Sequence, residues 1–92
     1  MYPKEIESYL DEIDGVLESA VVGVAHRDFG EAVTAVVVPR PGASLDETSI
    51  VAALKSRIAA FKVPKRVHVV AELPRNAMGK VQKNDLRDRF GA

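Results

Sequence analysis

The chain has 92 residues, enough for one small domain and a single core. Its composition is that of an ordinary globular protein, 47% hydrophobic and 28% charged, but it is too small to enclose two organic substrates in a deep cleft. The absence of cysteine excludes disulfides, thiolate metal ligands and a cysteine nucleophile, and it agrees with a cytoplasmic protein. No apolar run approaches the ~20 residues that span a bilayer, so we expect neither a membrane span nor a secretory leader.

The charges are balanced overall but unevenly distributed along the chain. Thirteen Lys and Arg side chains match thirteen Asp and Glu side chains. Residues 1–60 carry ten acidic and five basic side chains, whereas residues 61–92 carry three acidic and eight basic ones. The basic third indicates contact with an anion such as a nucleotide, a phosphate or an acidic protein face. A solvated surface of mixed charge is an equal alternative.

The first third of the chain predicts a helix followed by two strands. Apolar residues at i, i+3, i+4 and i+7 give the helix one buried face: Ile6, Tyr9, Leu10 and Ile13. Gly15 is placed to cap the end of this helix. The β-branched residues 19–25 and 31–38, joined by a short loop, then predict an antiparallel pair of strands.

A second helix is predicted from a capping box formed by Ser44 and Glu47. Its buried side repeats every four residues and ends near Ala60: Ile50, Leu54 and Ile58. Residues 67–71 predict a third strand, and residues 85–90 a last helix capped by Asn84. The order α-β-β-α-β-loop-α predicts an α+β domain with a small three-stranded antiparallel sheet flanked by helices.

Candidate chemistry is sparse outside one loop. His26 and His68 are far apart in the sequence, with no acidic cluster placed to join them, so we predict no metal site. Gly79 and Lys80 do not form a nucleotide-binding P-loop, because the first glycine is missing and a valine follows the lysine. The basic third has only two phenylalanines and no stacking motif, which argues against nucleic acid.

The loop of residues 73–84 is therefore the main candidate. Pro74 and Gly79 predict a loop of defined shape, and Lys80 follows the glycine directly. A lysine placed this way can stabilise charge that develops on a phosphorus centre and an attacking carboxylate, if the cleft around it excludes water. A solvated lysine in a turn is the alternative that the loop alone leaves open.

Residues 74–83, Pro-Arg-Asn-Ala-Met-Gly-Lys-Val-Gln-Lys, resemble the C-terminal signature of AMP-forming acyl-CoA synthetases in the adenylate-forming superfamily. Further segments resemble that family in the same order: 2–7, 20–24, 28–31, 35–39 and 61–65. Within the family, residues 75–84 look most like malonyl-CoA synthetases, and long-chain and aryl-CoA synthetases stay open.

The resemblance implies that residues 1–92 are the mobile C-terminal lid domain of such a synthetase, excised from its N-terminal domain and hinge and inactive alone. Lys80 would reach into the N-terminal domain and contact the carboxylic acid substrate and the ATP α-phosphate as acyl-AMP forms. ATP and Mg²⁺ would be bound mainly by that absent domain. The lid would then rotate to present another face for thioester formation with CoA.

The resemblance also implies weaker assignments. Phe29, Phe61, Lys65 and Lys55 would contact CoA; core packing is the alternative for Phe61, and solvation for the two lysines. Lys80 resembles lysines that are acetylated in bacterial relatives, which implies a lysine acetyltransferase and a deacetylase as partners. A different reading of the basic end is a stand-alone module that binds a phosphate or a protein partner without catalysis.

Overall fold

The computed structural model describes residues 3–26 and 30–90. The elements in chain order are helix α1 (Pro3–Asp11), strands β1 (Val16–His26) and β2 (Gly30–Pro39), helix α2 (Glu47–Lys55), a short 3₁₀ turn (Ala60–Lys62), strand β3 (Arg66–Val69) and helix α3 (Lys83–Phe90). The predicted α+β class and the predicted order of elements are confirmed. None of these helices combines the length and the apolar character needed to cross a bilayer.

The sheet has the strand order β1-β2-β3 and is mixed. Strands β1 and β2 pair antiparallel, as predicted. Strand β3 pairs with β2 in parallel, with Thr34 opposite Arg66 and Val37 opposite Val69, so the prediction of an antiparallel sheet is wrong for β3. The reason is the connection, because α2 forms a crossover that returns the chain to the starting end of β2.

Alternate residues of the strands supply two cores, one on each face of the sheet. Val21 belongs to a cluster with residues of α1, α2 and the other two strands: Ile6, Leu10, Ala35, Val37, Ile50, Leu54 and Val67. Its neighbours Ala20 and Val22 belong to a second cluster: Val24, Ala32, Val36, Val38, Leu73 and Leu86. Helix α3 therefore covers the face opposite α1 and α2, and residues 70–82 connect β3 at one edge to this position beside β1.

The start of α2 differs from the prediction. The N-cap is Asp46, whose Oδ1 accepts a hydrogen bond from the Ser49 amide at 2.7 Å. This hydrogen bond lowers the pKa of Asp46. The predicted capping box of Ser44 and Glu47 is wrong, because Glu47 accepts from the Val67 amide at 2.8 Å instead and so binds the outer edge of β3.

Two other helix ends were also predicted wrongly. Helix α2 ends at Lys55, so Ile58 lies beyond it, half-buried, and the chain turns before Ala60. Helix α3 begins at Lys83, so Asn84 lies inside the helix and does not cap it. The Asn84 Oδ1 accepts from Nη1 of Arg87 at 2.7 Å, a contact within the helix that replaces the predicted capping contact.

Candidate functional site: the Lys80 hairpin and two clefts

Lys80 lies on a small hairpin between β3 and α3, which we call the Lys80 hairpin (residues 74–82). Arg75 and Val81 form an isolated antiparallel bridge across it. The amide of Gln82 donates to the carbonyl of Pro74 at 2.8 Å. The two arms are thus held together by backbone hydrogen bonds, and the defined loop predicted from the sequence is present.

The tip of the hairpin requires its glycine. Gly79 has φ +83°, a conformation in which a side chain is strained. Its amide donates to the carbonyl of Asn76 at 2.9 Å, which closes the turn. Met78 is 92% exposed at the tip, and Lys80 is exposed directly after it. The hairpin therefore presents an apolar side chain and a cation to the outside.

An open cleft of about 570 Å³ lies beside Lys80, between α1, β1, the hairpin and the start of α3. It is lined by residues of these four segments: Glu7, Ser19, Ala20, Lys80, Val81, Gln82, Lys83 and Asn84. Only Lys80 of this set was predicted as a site residue. Residues 81–84 follow Lys80 directly, whereas Glu7, Ser19 and Ala20 come from segments far from it in the sequence, so a linear pattern could not have grouped these three with Lys80.

Glu7 joins three elements at the wall of this cleft. Its Oε2 accepts a hydrogen bond from the Val21 amide at 2.8 Å, at the outer edge of β1. The same oxygen lies 2.9 Å from Nζ of Lys83 at the start of α3. The charge of Lys83 is therefore paired inside the domain, whereas Lys80 on the same cleft projects from the exposed hairpin.

Some of the basic side chains of residues 61–92 form ion pairs with acidic side chains of residues 1–60. Among the described residues, three ion pairs join a basic side chain after residue 60 to an acidic side chain before it: Lys62 with Glu5, Arg75 with Glu18, and Lys83 with Glu7. For these six residues, the uneven charge distribution is explained by ion pairs between distant segments of the chain. It does not by itself indicate an anionic partner.

A second open cleft, of about 500 Å³, brings together two of the residues assigned to CoA. Lys55 and Lys65 both line it, with residues from α2 and from the segment before β3: Glu47, Thr48, Val51, Ala52, Ala60, Val63 and Pro64. The two lysines are ten positions apart in the sequence, and the turn after α2 places them on one cleft.

Phe61 lies next to this second cleft in the 3₁₀ turn and is 78% exposed. The alternative that it packs into the core is therefore wrong. The Nζ of Lys62 lies 5.8 Å from the centre of its ring. Phe29, the remaining residue assigned to CoA, falls in residues 27–29, outside the described residues.

The two clefts share no lining residue and border opposite edges of the sheet. The Lys80 cleft is lined by Ser19 and Ala20 of edge strand β1. The second cleft is lined by Lys65, which leads into edge strand β3. Lys80 is thus separated from Lys55 and Lys65, and each cleft can face a different surface of a larger protein.

His68, the histidine of β3, packs against another ring of the domain. The ring of His68 stacks on Phe90 with centroids 4.1 Å apart and an angle of 16° between the planes. Burial, and secondarily the positive charge of Arg66, lowers the pKa of His68, against the opposing effect of Glu47. Among residues 3–26 and 30–90, no three His, Cys, Asp or Glu side chains form a group that could hold a metal ion.

Comparisons with known proteins place this fold in a family. The AMP-binding enzyme C-terminal domain family matches residues 5–80. A CoA ligase of Rhodococcus jostii is 51% identical over 88 residues, or 96% of this chain and 17% of the ligase. That ligase is named for a methyl-dioxo-octahydroindenyl propanoyl group. An indoleacetate–CoA ligase of Aromatoleum aromaticum is 48% identical over 87 residues, or 95% of this chain and 17% of that protein.

Among solved structures, ATP-bound MatB from Rhodopseudomonas palustris superimposes with a TM-score of 0.94 and 57% sequence identity. The match covers 98% of this chain and 18% of MatB. The chain belongs to the family of AMP-binding enzyme C-terminal domains. It spans less than a fifth of the length of these relatives.

Proposed function

We propose that residues 1–92 form the C-terminal domain of an AMP-forming acyl-CoA synthetase, in which Lys80 acts in acyl-AMP formation. The observation that carries the proposal is the placement of Lys80 on a closed, exposed hairpin, at the edge of the sheet opposite the Lys55 and Lys65 cleft. Family membership supports it. One small domain with two separate clefts suits an enzyme that turns first one and then the other toward its reaction centre.

In the first half-reaction, a carboxylate oxygen of the acid attacks the α-phosphorus of ATP. The bond from this phosphorus to the pyrophosphate oxygen breaks, and pyrophosphate leaves with the electron pair. The attacking carboxylate and the α-phosphate are both negatively charged and repel each other. Lys80 contributes a positive charge beside both groups and so offsets this repulsion. This contribution requires that the hairpin dock against a second domain, because an exposed cation is screened by water.

In the second half-reaction, the CoA sulfur attacks the acyl carbonyl carbon, AMP leaves, and the thiol proton passes to solvent. Lys55 and Lys65 would attract the CoA phosphates, and the exposed ring of Phe61 would contact its adenine or pantetheine part. The common cleft of the two lysines supports this assignment. Phe29 stays in the same proposal on the resemblance of residues 28–31 alone.

ATP and Mg²⁺ would be held mainly by the N-terminal domain. The described residues offer no cluster of carboxylates for a metal ion, and the Lys80 cleft is open on one side. The N-terminal domain is therefore the proposed partner of this chain. We propose a cytoplasmic location for the complete enzyme, with which the absence of cysteine from these 92 residues agrees.

The test of the Lys80 assignment separates the two half-reactions in the full-length enzyme. Lys80→Ala should abolish most acyl-AMP formation. The same variant should still convert supplied acyl-AMP and CoA to the thioester at nearly the parental rate. Lys4→Ala removes an exposed lysine of α1 and should leave both rates unchanged. Equal loss of both half-reactions in Lys80→Ala would refute the assigned role.

The test of the CoA assignment expects the reverse result, in which thioester formation is impaired and acyl-AMP formation is kept. Replacing Lys55 and Lys65 by alanine should raise KM for CoA, while acyl-AMP formation stays unchanged. The rise should be smaller at high ionic strength, since added salt already screens the charges that the variant removes. Arg40→Ala, which removes an exposed cation outside the second cleft, is the matched control. An unchanged KM for CoA would remove both lysines from the proposal.

For the acid, we propose malonate on the resemblance of residues 75–84 to malonyl-CoA synthetases. Two relatives are named for ligases of ring-bearing acids, so the acid must be measured. A panel of malonate, a long-chain fatty acid, indoleacetate and an aryl acid, compared by kcat/KM in the full-length enzyme, decides between these classes. A preference for any acid other than malonate would overturn this part alone.

We also propose that acetylation of Lys80 is inhibitory, because it removes the charge that acyl-AMP formation needs. The exposure of Lys80 makes its amine accessible to an acetyltransferase, and a deacetylase would reverse the effect. Site-specific incorporation of acetyl-lysine at position 80 should stop acyl-AMP formation. Full activity of that protein would contradict the proposal.

The competing function is a stand-alone module that binds a phosphate or a partner through its basic end. Calorimetry of the 92-residue chain with ATP distinguishes the two. A half-site should show no tight binding, whereas a self-sufficient phosphate module should bind in the micromolar range.

A further inference from the structure

The direction of the Lys80 side chain is set by the backbone of its hairpin. The side chain is exposed, so the packing of neighbouring side chains does not hold it in place. What the domain can fix in advance is the position of the Lys80 backbone. Small displacements of a reacting group cost activity, on the order of 10²-fold for a shift of about 1 Å.

One residue takes up both polar backbone groups of Lys80. The Oδ1 of Asn76 accepts a hydrogen bond from the Lys80 amide at 3.0 Å, and the Asn76 amide donates to the Lys80 carbonyl at 3.0 Å. The same Oδ1 accepts from the Met78 amide at 2.9 Å, and the Asn76 carbonyl accepts from the Gly79 amide at 2.9 Å. The turn of the hairpin is thus bridged by the hydrogen bonds of one residue.

Arg75 attaches this unit to the rest of the domain. Its Nη1 donates to the Gly79 carbonyl at 2.8 Å, and its Nη2 pairs with the carboxylate of Glu18 on β1. The hairpin therefore has a fixed internal shape, through Asn76, and a fixed attachment to the sheet, through Arg75.

We propose that Asn76 is a positioning residue for acyl-AMP formation, which sets the backbone of Lys80 before the hairpin docks. The proposal rests on the proposed function of Lys80 and deepens it. Asn76 needs no contact with substrate, because its side-chain oxygen is occupied by the two amides. Because Asn76 orders the loop in advance, less conformational entropy is lost when the hairpin docks.

The test compares three substitutions in the full-length enzyme. Asn76→Ala removes the acceptor; Asn76→Asp keeps it with a charge, and Asn76→Ser keeps a weaker neutral one. Amide hydrogen exchange at Met78 and Lys80 reports the hairpin directly, and Asn76→Ala should speed it by about tenfold, as loss of a typical net hydrogen-bond energy implies. The rate of acyl-AMP formation should fall by at least about tenfold in the same variant.

Two further readouts exclude a general structural effect. In Asn76→Ala, kcat of acyl-AMP formation should fall with KM for ATP little changed, and thioester formation from supplied acyl-AMP should stay at the parental rate. Asn76→Asp should restore both exchange protection and kcat in large part, and Asn76→Ser to a smaller degree. Restored exchange protection in Asn76→Asp without any recovery of kcat in either Asn76→Asp or Asn76→Ser would separate the rate from the order of the hairpin and overturn the positioning role.

Failure of this inference is distinguishable from failure of the proposed function. If Lys80→Ala abolishes acyl-AMP formation but Asn76→Ala keeps the full rate despite faster exchange, the positioning role is wrong and the role of Lys80 stands. If Lys80→Ala keeps the full rate, the proposed function is wrong and the positioning role is overturned with it.

Discussion

The Nζ of Lys83 lies 2.9 Å from Oε2 of Glu7, which joins the start of α3 to α1 across the edge of the sheet. The same carboxylate accepts from the Val21 amide. This contact fixes the end of the Lys80 hairpin, because Lys83 is the first residue of α3 and follows the hairpin directly. The junction of Glu7 and Lys83 therefore holds one end of the Lys80 hairpin against the sheet.

Glu7→Ala should lower the free energy of unfolding by about 2 kcal/mol, because it removes a charged acceptor and leaves the Val21 amide without its partner. Glu7→Gln keeps an acceptor and should cost less. Glu12→Ala is the control, since its pair with Arg57 is about half exposed and should contribute less than ~0.5 kcal/mol. Urea unfolding measures all three, and equal costs for Glu7→Ala and Glu12→Ala would contradict the junction.

The stability of the domain should fall in mildly acidic solution because of His68. Its pKa in the folded state is lowered from the ordinary 6.5 by burial, so the unfolded chain takes up the proton first as the pH falls. The stabilisation is complete above pH 6.5, is lost as the pH falls from there through the lowered pKa, and changes no further below it. His68→Phe keeps a ring against Phe90 and should remove this part of the pH dependence in urea unfolding. An unchanged slope between about pH 5 and pH 7 would refute it.

Gly79→Ala should impair the hairpin through backbone strain alone. Gly79 has φ +83° and Gly42 has φ +82°, and an added Cβ would meet nothing within 4 Å at either position. Both substitutions should therefore cost about 1 kcal/mol of unfolding free energy. Only Gly79→Ala should also slow acyl-AMP formation in the full-length enzyme. A similar loss of activity in Gly42→Ala would show that the effect is one of general stability.

Phe61→Ala should leave the stability almost unchanged, because the ring is 78% exposed and loses little burial. Leu54→Ala, at a fully buried position of the core, should cost about 2–5 kcal/mol. If Phe61 contacts CoA, its loss should raise KM for CoA in the full-length enzyme. A large loss of stability in Phe61→Ala would contradict the exposed position of this ring.

Local patterns predicted the elements of this fold well where the pattern and the packing agree. Ile6, Leu10, Ile50 and Leu54 were placed on buried helix faces by their spacing, and all four are core residues. The direction of β3 was missed although the signal was present. Its four residues pair with β2 after a crossover through α2, and a helix between two strands is the usual connection of a parallel pair.

The errors at the starts of α2 and α3 have a common cause. Ser44, Asp46 and Asn84 are all residues that cap helices, and the sequence alone does not say which of them meets a free amide. Asp46 caps α2, while Glu47 accepts from the Val67 amide of a distant strand.

The candidate site was predictable only in part. The shape of the Lys80 hairpin followed from Gly79, whereas the role of Lys80 came from resemblance to a family and not from spacing. Asn76 was missed, although an asparagine two residues before Met78 is a known signal for a side chain that binds the following backbone. Arg75 and Glu18 were not predictable as a pair, since 57 positions separate them.

The ratio of the two half-reaction rates in the Lys80→Ala enzyme tests the central claim most directly. Acyl-AMP formation should fall by at least about 10²-fold, the usual cost of removing one preorganised charge-stabilising group, and thioester formation from supplied acyl-AMP should stay near the parental rate. That result would place Lys80 in the first half-reaction alone. Retention of acyl-AMP formation, or an equal loss of both rates, would contradict the account.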